Sequence, residues 1–203
     1  MESLLIPVKR LDQAKLRLSE RLAPQDRRRL GLAMLADVLH ATEKWDSRLV
    51  VTSDQDAEAV ALAFGCALVT DPGTGLNDAI RAGTTAAVAA GADTLLVLPS
   101  DVPMVSPDDI SALFARPEQV VIASSPDGGT NALIRRPPDA VEPAFGPASC
   151  HAHRRRAEQA DLSWRVLELS SLVLDIDRYS DLVRLGEQEN VRESVRLARE
   201  LLG

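Results

Sequence analysis

Aromatic side chains are scarce in this sequence: six Phe, Trp and Tyr residues make up 3% of 203. A core built from it must be filled by Leu, Val, Ile and Ala. Cysteine is nearly missing as well. Cys66 and Cys150 stand alone, which excludes a disulfide framework or a paired-cysteine zinc site and fits a reduced, cytoplasmic compartment. No apolar run approaches the roughly 20 residues of a membrane-spanning helix. The opening MESLLIPVKRLDQAK also has no charged region leading into an apolar one, so neither membrane nor signal peptide is expected. An excess of basic charge is lacking too. The net charge of −7 argues against nucleic acid as the main partner. Finally, neither GxxxxGK[ST] nor GxGxxG occurs, so a phosphate ligand would have to be held by other means.

What remains is the composition of an ordinary globular protein, 45% hydrophobic and 26% charged. A chain of this length buries about 70% of its unfolded surface, and one domain spanning 1–203 is the expectation. Short apolar runs alternate with stretches of helical spacing. Strand Leu4 to Val8 leads to a helix from Pro24 to Lys44. Then come strand RLVVTS, a helix closed by Gly65, strand ALVT, a helix closed by Gly91, and strand TLLVL. This βαβαβαβ alternation predicts an α/β fold, a three-layer α/β/α arrangement around a mixed, mostly parallel sheet, with ligands outside the carboxyl ends of its strands. Later strands are expected at QVVIAS, NALIR, Val166 to Leu169 and Leu172 to Ile176, followed by two helices.

Several stretches at the predicted strand ends carry chemistry. Asp101 follows the buried strand TLLVL, where a carboxylate either caps a turn or holds a cation. Ser106 with Asp108 and Asp109 already caps the next helix, which leaves Asp101 less explained. In LDIDRYSDL, alternation places Asp175 and Asp177 on one face of a strand end. Either residue can cap the helix near Tyr179 or join a Mg²⁺ site, since that ion takes one or two carboxylates plus substrate phosphates. SPDGGTNALI and AFGPAS have the glycine and hydroxyl make-up of phosphate loops or of plain turns. Lys9, Lys15 and Arg17 follow the first strand, as triphosphate ligands or as solvated surface. In DPGTGLNDAI, Asn77 either reads a base edge or caps a helix. His151 and His153, two apart on a helix, face different ways, which favours a phosphate-facing role beside Arg154 to Arg156 over a shared zinc.

Taken in order, IPVKRLDQAKLRLS, DPGTGLNDAI, LPSDVPMVSPDDI, GGTNALI, FGPAS and LDIDRYSDL resemble the guanylyltransferases of coenzyme F-420 biosynthesis that act on 2-phospho-L-lactate or phosphoenolpyruvate. The resemblance runs from Leu4 to Val183. It implies the nucleotide-diphospho-sugar transferase (Rossmann-like) type of fold, with GTP and a small phosphorylated three-carbon acid as partners, Mg²⁺ as cofactor and pyrophosphate as by-product. It also implies site residues. Asp101 and Asp175 match the metal ligands. Thr130, Gly146 and Ser149 match the phosphoacid ligands. Lys9, Lys15 and Arg17 match the catalytic cations on the GTP phosphates, and Asp71, Leu76 and Asn77 fall in the nucleoside loop. The family's DLP segment reads Asp101-Val102-Pro103 here. Sugar-phosphate or molybdopterin nucleotidyltransferases, and a non-catalytic nucleotide-binding module, are the alternatives to this reading.

Overall fold

The computed structural model describes residues 1–12 and 15–203; Gln13 and Ala14, inside the N-terminal motif, lie outside the described residues. Strands β1 (Glu2–Pro7), β2 (Arg48–Thr52), β3 (Ala67–Thr70) and β4 (Thr94–Val97) alternate with helices α1 (Pro24–Ala41), α2 (Gln55–Ala63) and α3 (Leu76–Ala89). After α4 (Pro107–Phe114) come β5 (Val120–Ser124), β6 (Thr130–Arg135), α5 (Ser149–Gln159) and β7 (Trp164–Leu167). Helices α6 (Tyr179–Gly186) and α7 (Glu193–Leu202) end the chain. The sheet order is β3-β2-β1-β4-β6-β5-β7. All pairings are parallel except those of β6, which runs antiparallel between β4 and β5. Its start therefore lies at the same sheet edge as the ends of β1 and β4. The β5–β6 ladder shifts register between Ala123 and Ser124: Ala123 faces Ala132 but Ser124 faces Thr130.

Alternation within β1 divides the core. Leu4 and Ile6 pack towards α1, α2 and α4, whereas Leu5 packs towards α3. Helix α3 comes so close that a Cβ on Gly83 would stand 2.3 Å from Leu5 Cδ1 and 2.7 Å from Val51 Cγ2, so only glycine fits there. The far side of α1 is covered by α6 and α7 through Leu30, Met34, Leu182 and Val195. Helix α7 starts on Asp37 of α1, whose buried carboxylate accepts the N–H groups of Glu193 and Ser194 at 3.0 and 2.9 Å.

The expected caps occur where the residue types require them. Ser106 and Asp109 form a capping box on α4, and Gly65 leaves α2 with φ 71°. Helix α1 stops at Ala41 rather than Lys44, because the Thr42 hydroxyl turns back to donate to the Leu39 carbonyl at 2.8 Å. The strand expected over Leu172 to Ile176 does not form. A 3-10 turn covers Ser170–Leu172, and the following segment keeps alternating burial without joining the ladder. Its tether is instead the Ile176 N–H, which donates to the Asp101 carbonyl at 3.2 Å. No helix among the described residues is long and apolar enough to cross a membrane.

Candidate active site

The loop after β1 is drawn across the sheet edge by a carboxylate from β2's end. Asp54 is buried and caps α2. It accepts the Leu11 N–H at 2.9 Å and is gripped by the Arg28 guanidinium at 3.1 and 3.2 Å. These donors hold its pKa below the ordinary carboxylate value, although burial acts to raise it. Leu11 lies over Gly31, where a Cβ would meet its side chain at 2.7 Å. This loop and the end of β4 enclose a cavity of about 170 Å³, lined among others by Lys9, Lys15, Leu76, Asp101 and Asp177.

Lys15 is the centre of this cavity's charge. Its side chain is only 8% exposed, and its ammonium sits 2.9 Å from Asp101 Oδ2 and 3.0 Å from Asp177 Oδ1. Its backbone is left-handed at φ 55° and ψ 36°, an uncommon state for a non-glycine residue. Burial alone would push the ammonium's pKa down, but the two carboxylates outweigh that and hold it above normal. Asp101 shows the converse: burial raises its pKa, yet Lys15 brings it below normal. Arg17 is exposed and reaches Asp177 Oδ2 at 3.4 Å, and Lys9 is exposed at the rim.

Asp175 is the strained member of the acidic group. Burial first, then the neighbouring charges of Asp101 and Asp177, push its carboxyl up to about 6. The Lys15 ammonium pairs with Asp101 and Asp177, and Asp175 feels the negative charge of both without a cation of its own. Carboxylate oxygens are the ligands a hard divalent cation takes beside phosphates and water, but among the described residues no three acidic, His or Cys side chains gather closely enough to hold one by themselves. Sequence reasoning placed Asp175 and Asp177 together but did not pair Asp177 with Lys15. The loop beyond Asp101 is fixed by another residue it missed. Arg192, the N-cap of α7, donates to the carbonyls of Pro103, Met104 and Val105 at 2.5, 3.3 and 2.8 Å.

A second group forms around the start of β6. Helix α5 opens on Ala148, left-handed at φ 54°, with no side chain capping its first turn. Gly146 just before it has φ 134°, an angle that favours glycine. The Cys150 N–H donates to the Gly128 carbonyl at 3.1 Å and so stitches the FGPAS loop to the SPDGG turn. Thr130, Ser149 and Gly146 are thereby brought to one place, with the two hydroxyl residues buried. Asp127, in the same turn, adds to the charge felt by Asp175, which links this group to the cavity.

Two expectations, those for Asn77 and His153, change at this point. Asn77 neither caps α3, whose N-cap is Gly75, nor presents a free amide: its Oδ1 accepts the Phe145 N–H at 2.8 Å and its Nδ2 donates to the Phe145 carbonyl at 3.0 Å. It clamps the FGPAS loop onto α3. Asp71 folds back to accept the Gly73 N–H at 2.9 Å, and Leu76 lines the cavity. His153 does not turn a ring nitrogen towards a phosphate beside Arg154 to Arg156, since protein groups take both. It is fully buried, with Nδ1 3.0 Å from Thr130 Oγ1 and Nε2 accepting the Ala144 N–H at 2.9 Å.

Residues 2–199 match the family described as guanylyl transferase CofC like. A phosphoenolpyruvate guanylyltransferase of Sphaerobacter thermophilus is 41% identical over 187 residues, covering 89% of this chain and 90% of the relative. A 2-phospho-L-lactate guanylyltransferase of Methanothermobacter thermautotrophicus is 36% identical over 201 residues, covering 96% and 90%. Among solved structures, one from Desulfovibrio desulfuricans G20, described with the nucleotide-diphospho-sugar transferases, superposes with a TM-score of 0.79 over 98% of this chain and 94% of its own. At 18% identity that likeness is one of fold.

Proposed function

Because the chain belongs to the CofC-like guanylyl transferases, we propose that it joins GTP to a phosphorylated three-carbon acid in coenzyme F-420 biosynthesis, with phosphoenolpyruvate as first substrate and 2-phospho-L-lactate as second. The whole of 1–203 acts as one guanylyltransferase domain in this reading. The observation that carries it is the ammonium of Lys15 set between Asp101 and Asp177 beside a cavity, within one chain that also gathers Thr130, Gly146 and Ser149. The free thiols of Cys66 and Cys150 support a cytoplasmic setting.

In the reaction a phosphate oxygen of the acid attacks the α-phosphorus of GTP in line. The bond to the bridging oxygen breaks, and pyrophosphate leaves with its electron pair. The nucleophile is already an anion, so the protein needs no base; it has to bring two anions together and meet the charge that moves to the leaving group. Lys15 is held protonated by its carboxylate neighbours and, with Lys9 and Arg17, supplies fixed positive charge on the triphosphate side. Thr130, Ser149 and the backbone at Gly146 hold the phosphoacid at the uncapped start of α5, where helix N–H groups favour an anion. Leu76 gives the nucleoside an apolar wall, Asp71 shapes the neighbouring turn, and Asn77 keeps the acid's loop at a fixed distance from that wall. Asp101 and Asp175 would hold Mg²⁺, and the ion would supply charge neutralisation to the phosphates.

The test is pyrophosphate release from the purified protein with Mg²⁺, GTP and each acid in turn. Release with phosphoenolpyruvate is expected to exceed that with 2-phospho-L-lactate or 3-phosphoglycerate. GTP binding without release on any of the three would overturn the assignment.

A further inference from the structure

We propose that His153 is a positioning residue for the phosphoacid, because it sets the direction in which the Thr130 hydroxyl gives its hydrogen. This rests on the reading of Thr130 as a phosphoacid ligand.

The argument begins with the backbone. The Ala144 N–H can only donate, so the atom it meets at 2.9 Å, His153 Nε2, must present a lone pair. A neutral imidazole then carries its single hydrogen on Nδ1, which stands 3.0 Å from Thr130 Oγ1. Burial, with the charges of Arg156 and Arg135, holds the ring neutral by pushing its pKa down to about 4. Thr130 therefore accepts from His153, and its own hydrogen is turned away from the ring. Among the described residues no acceptor takes that hydrogen, so it is free for an incoming anion. With the other tautomer the hydroxyl would donate to the ring and offer a phosphate only lone pairs.

The ring itself is held in place. Phe145 meets it edge to face, with centroids 5.0 Å apart, and Asn77 pins Phe145 from α3. The sequence Ala144, Phe145, Gly146 thus runs from the histidine's donor to the phosphoacid loop without a break. His153 touches no reacting atom; it acts through Thr130.

Two conservative variants separate the ends of this relay. The amide of His153→Asn can donate from the place of Nδ1 but loses the acceptor for Ala144. That of His153→Gln can accept from Ala144 but leaves Thr130 without its donor. Steady-state pyrophosphate release is measured for both, and for Thr130→Val, alongside thermal stability. His153→Gln is expected to raise KM for the phosphoacid about tenfold, the usual worth of a charge-assisted hydrogen bond, with kcat and the KM for GTP unchanged. His153→Asn is expected to stay within about threefold of the parent. In the Thr130→Val background His153→Gln should add nothing further.

Equal effects of Asn and Gln that follow melting temperature, or additive effects in the double variant, would overturn the relay while Thr130→Val still raises KM for the acid. An unchanged acid KM in Thr130→Val would instead remove Thr130 from the pocket, and the relay with it.

Discussion

Asp175→Asn is expected to stabilise this protein and to disable it. In the folded chain the Asp175 carboxyl ionises near pH 6, against 3.8 for the ordinary group, because it is partly buried among Asp101, Asp177 and Asp127. Below pH 3.8 both folded and unfolded chains hold the proton, so the residue costs nothing. As pH rises the unfolded chain releases it first, and above about 6 the folded chain carries the full penalty. At 1.36 kcal/mol per pH unit the interval amounts to about 3 kcal/mol, which solvent screening of a partly exposed carboxylate brings to about 1–2 kcal/mol. Asparagine is neutral at every pH and removes that penalty. Denaturant melts in chelator at pH 4.5 and 7.5 should show about a third of the gain at the lower pH, where the unfolded chain has already lost its proton, and the full gain at the higher one, equivalent to about 2–8 °C in Tm. Turnover with Mg²⁺ at pH 7.5 should fall about 100-fold. A stability difference that is flat with pH, or negative at pH 7.5, would refute the electrostatic argument. A stabilised variant that keeps its turnover would refute the metal role.

Three further outcomes are expected. Asp101→Asn should leave the far-ultraviolet circular dichroism unchanged while lowering kcat about 100-fold or more, read by pyrophosphate release. Gly83→Ala should destabilise by about 1–3 kcal/mol in a denaturant melt, since its methyl group would collide with Leu5 and Val51. Asp54→Ala removes the α2 cap and the acceptor of the Leu11 N–H, and should cost about 2–4 kcal/mol in the same measurement.

Most of the fold was legible because its signals are local. The apolar runs of β1, β2 and β4, the proline and acids opening α4, and Gly65 closing α2 all act within one element. The same locality explains the error at Leu172 to Ile176. There the alternation of burial is real, but a strand also needs a free ladder to join, and this segment ties to Asp101 by a single backbone bond. Within the site, residue types announced the carboxylates and the phosphate loops. Partners did not announce themselves: Lys15 and Asp177 are 162 residues apart, and Asn77 spends its amide on a backbone 68 residues away. The phosphate-facing role expected for His153 rested on its neighbours in sequence, Arg154 to Arg156, while its neighbours in space are Thr130, Ala144 and Phe145.

The register shift between β5 and β6 makes chain length itself a determinant of the site. Thr130 and Ala132 are two apart, yet Ala132 packs with the α1 layer while Thr130 meets His153 of α5, on the other face of the sheet. Unbroken alternation would send both the same way. The extra residue at Asn131 reverses that parity. A chain lacking one residue here could keep every side chain named in the site and still point the threonine into the wrong layer.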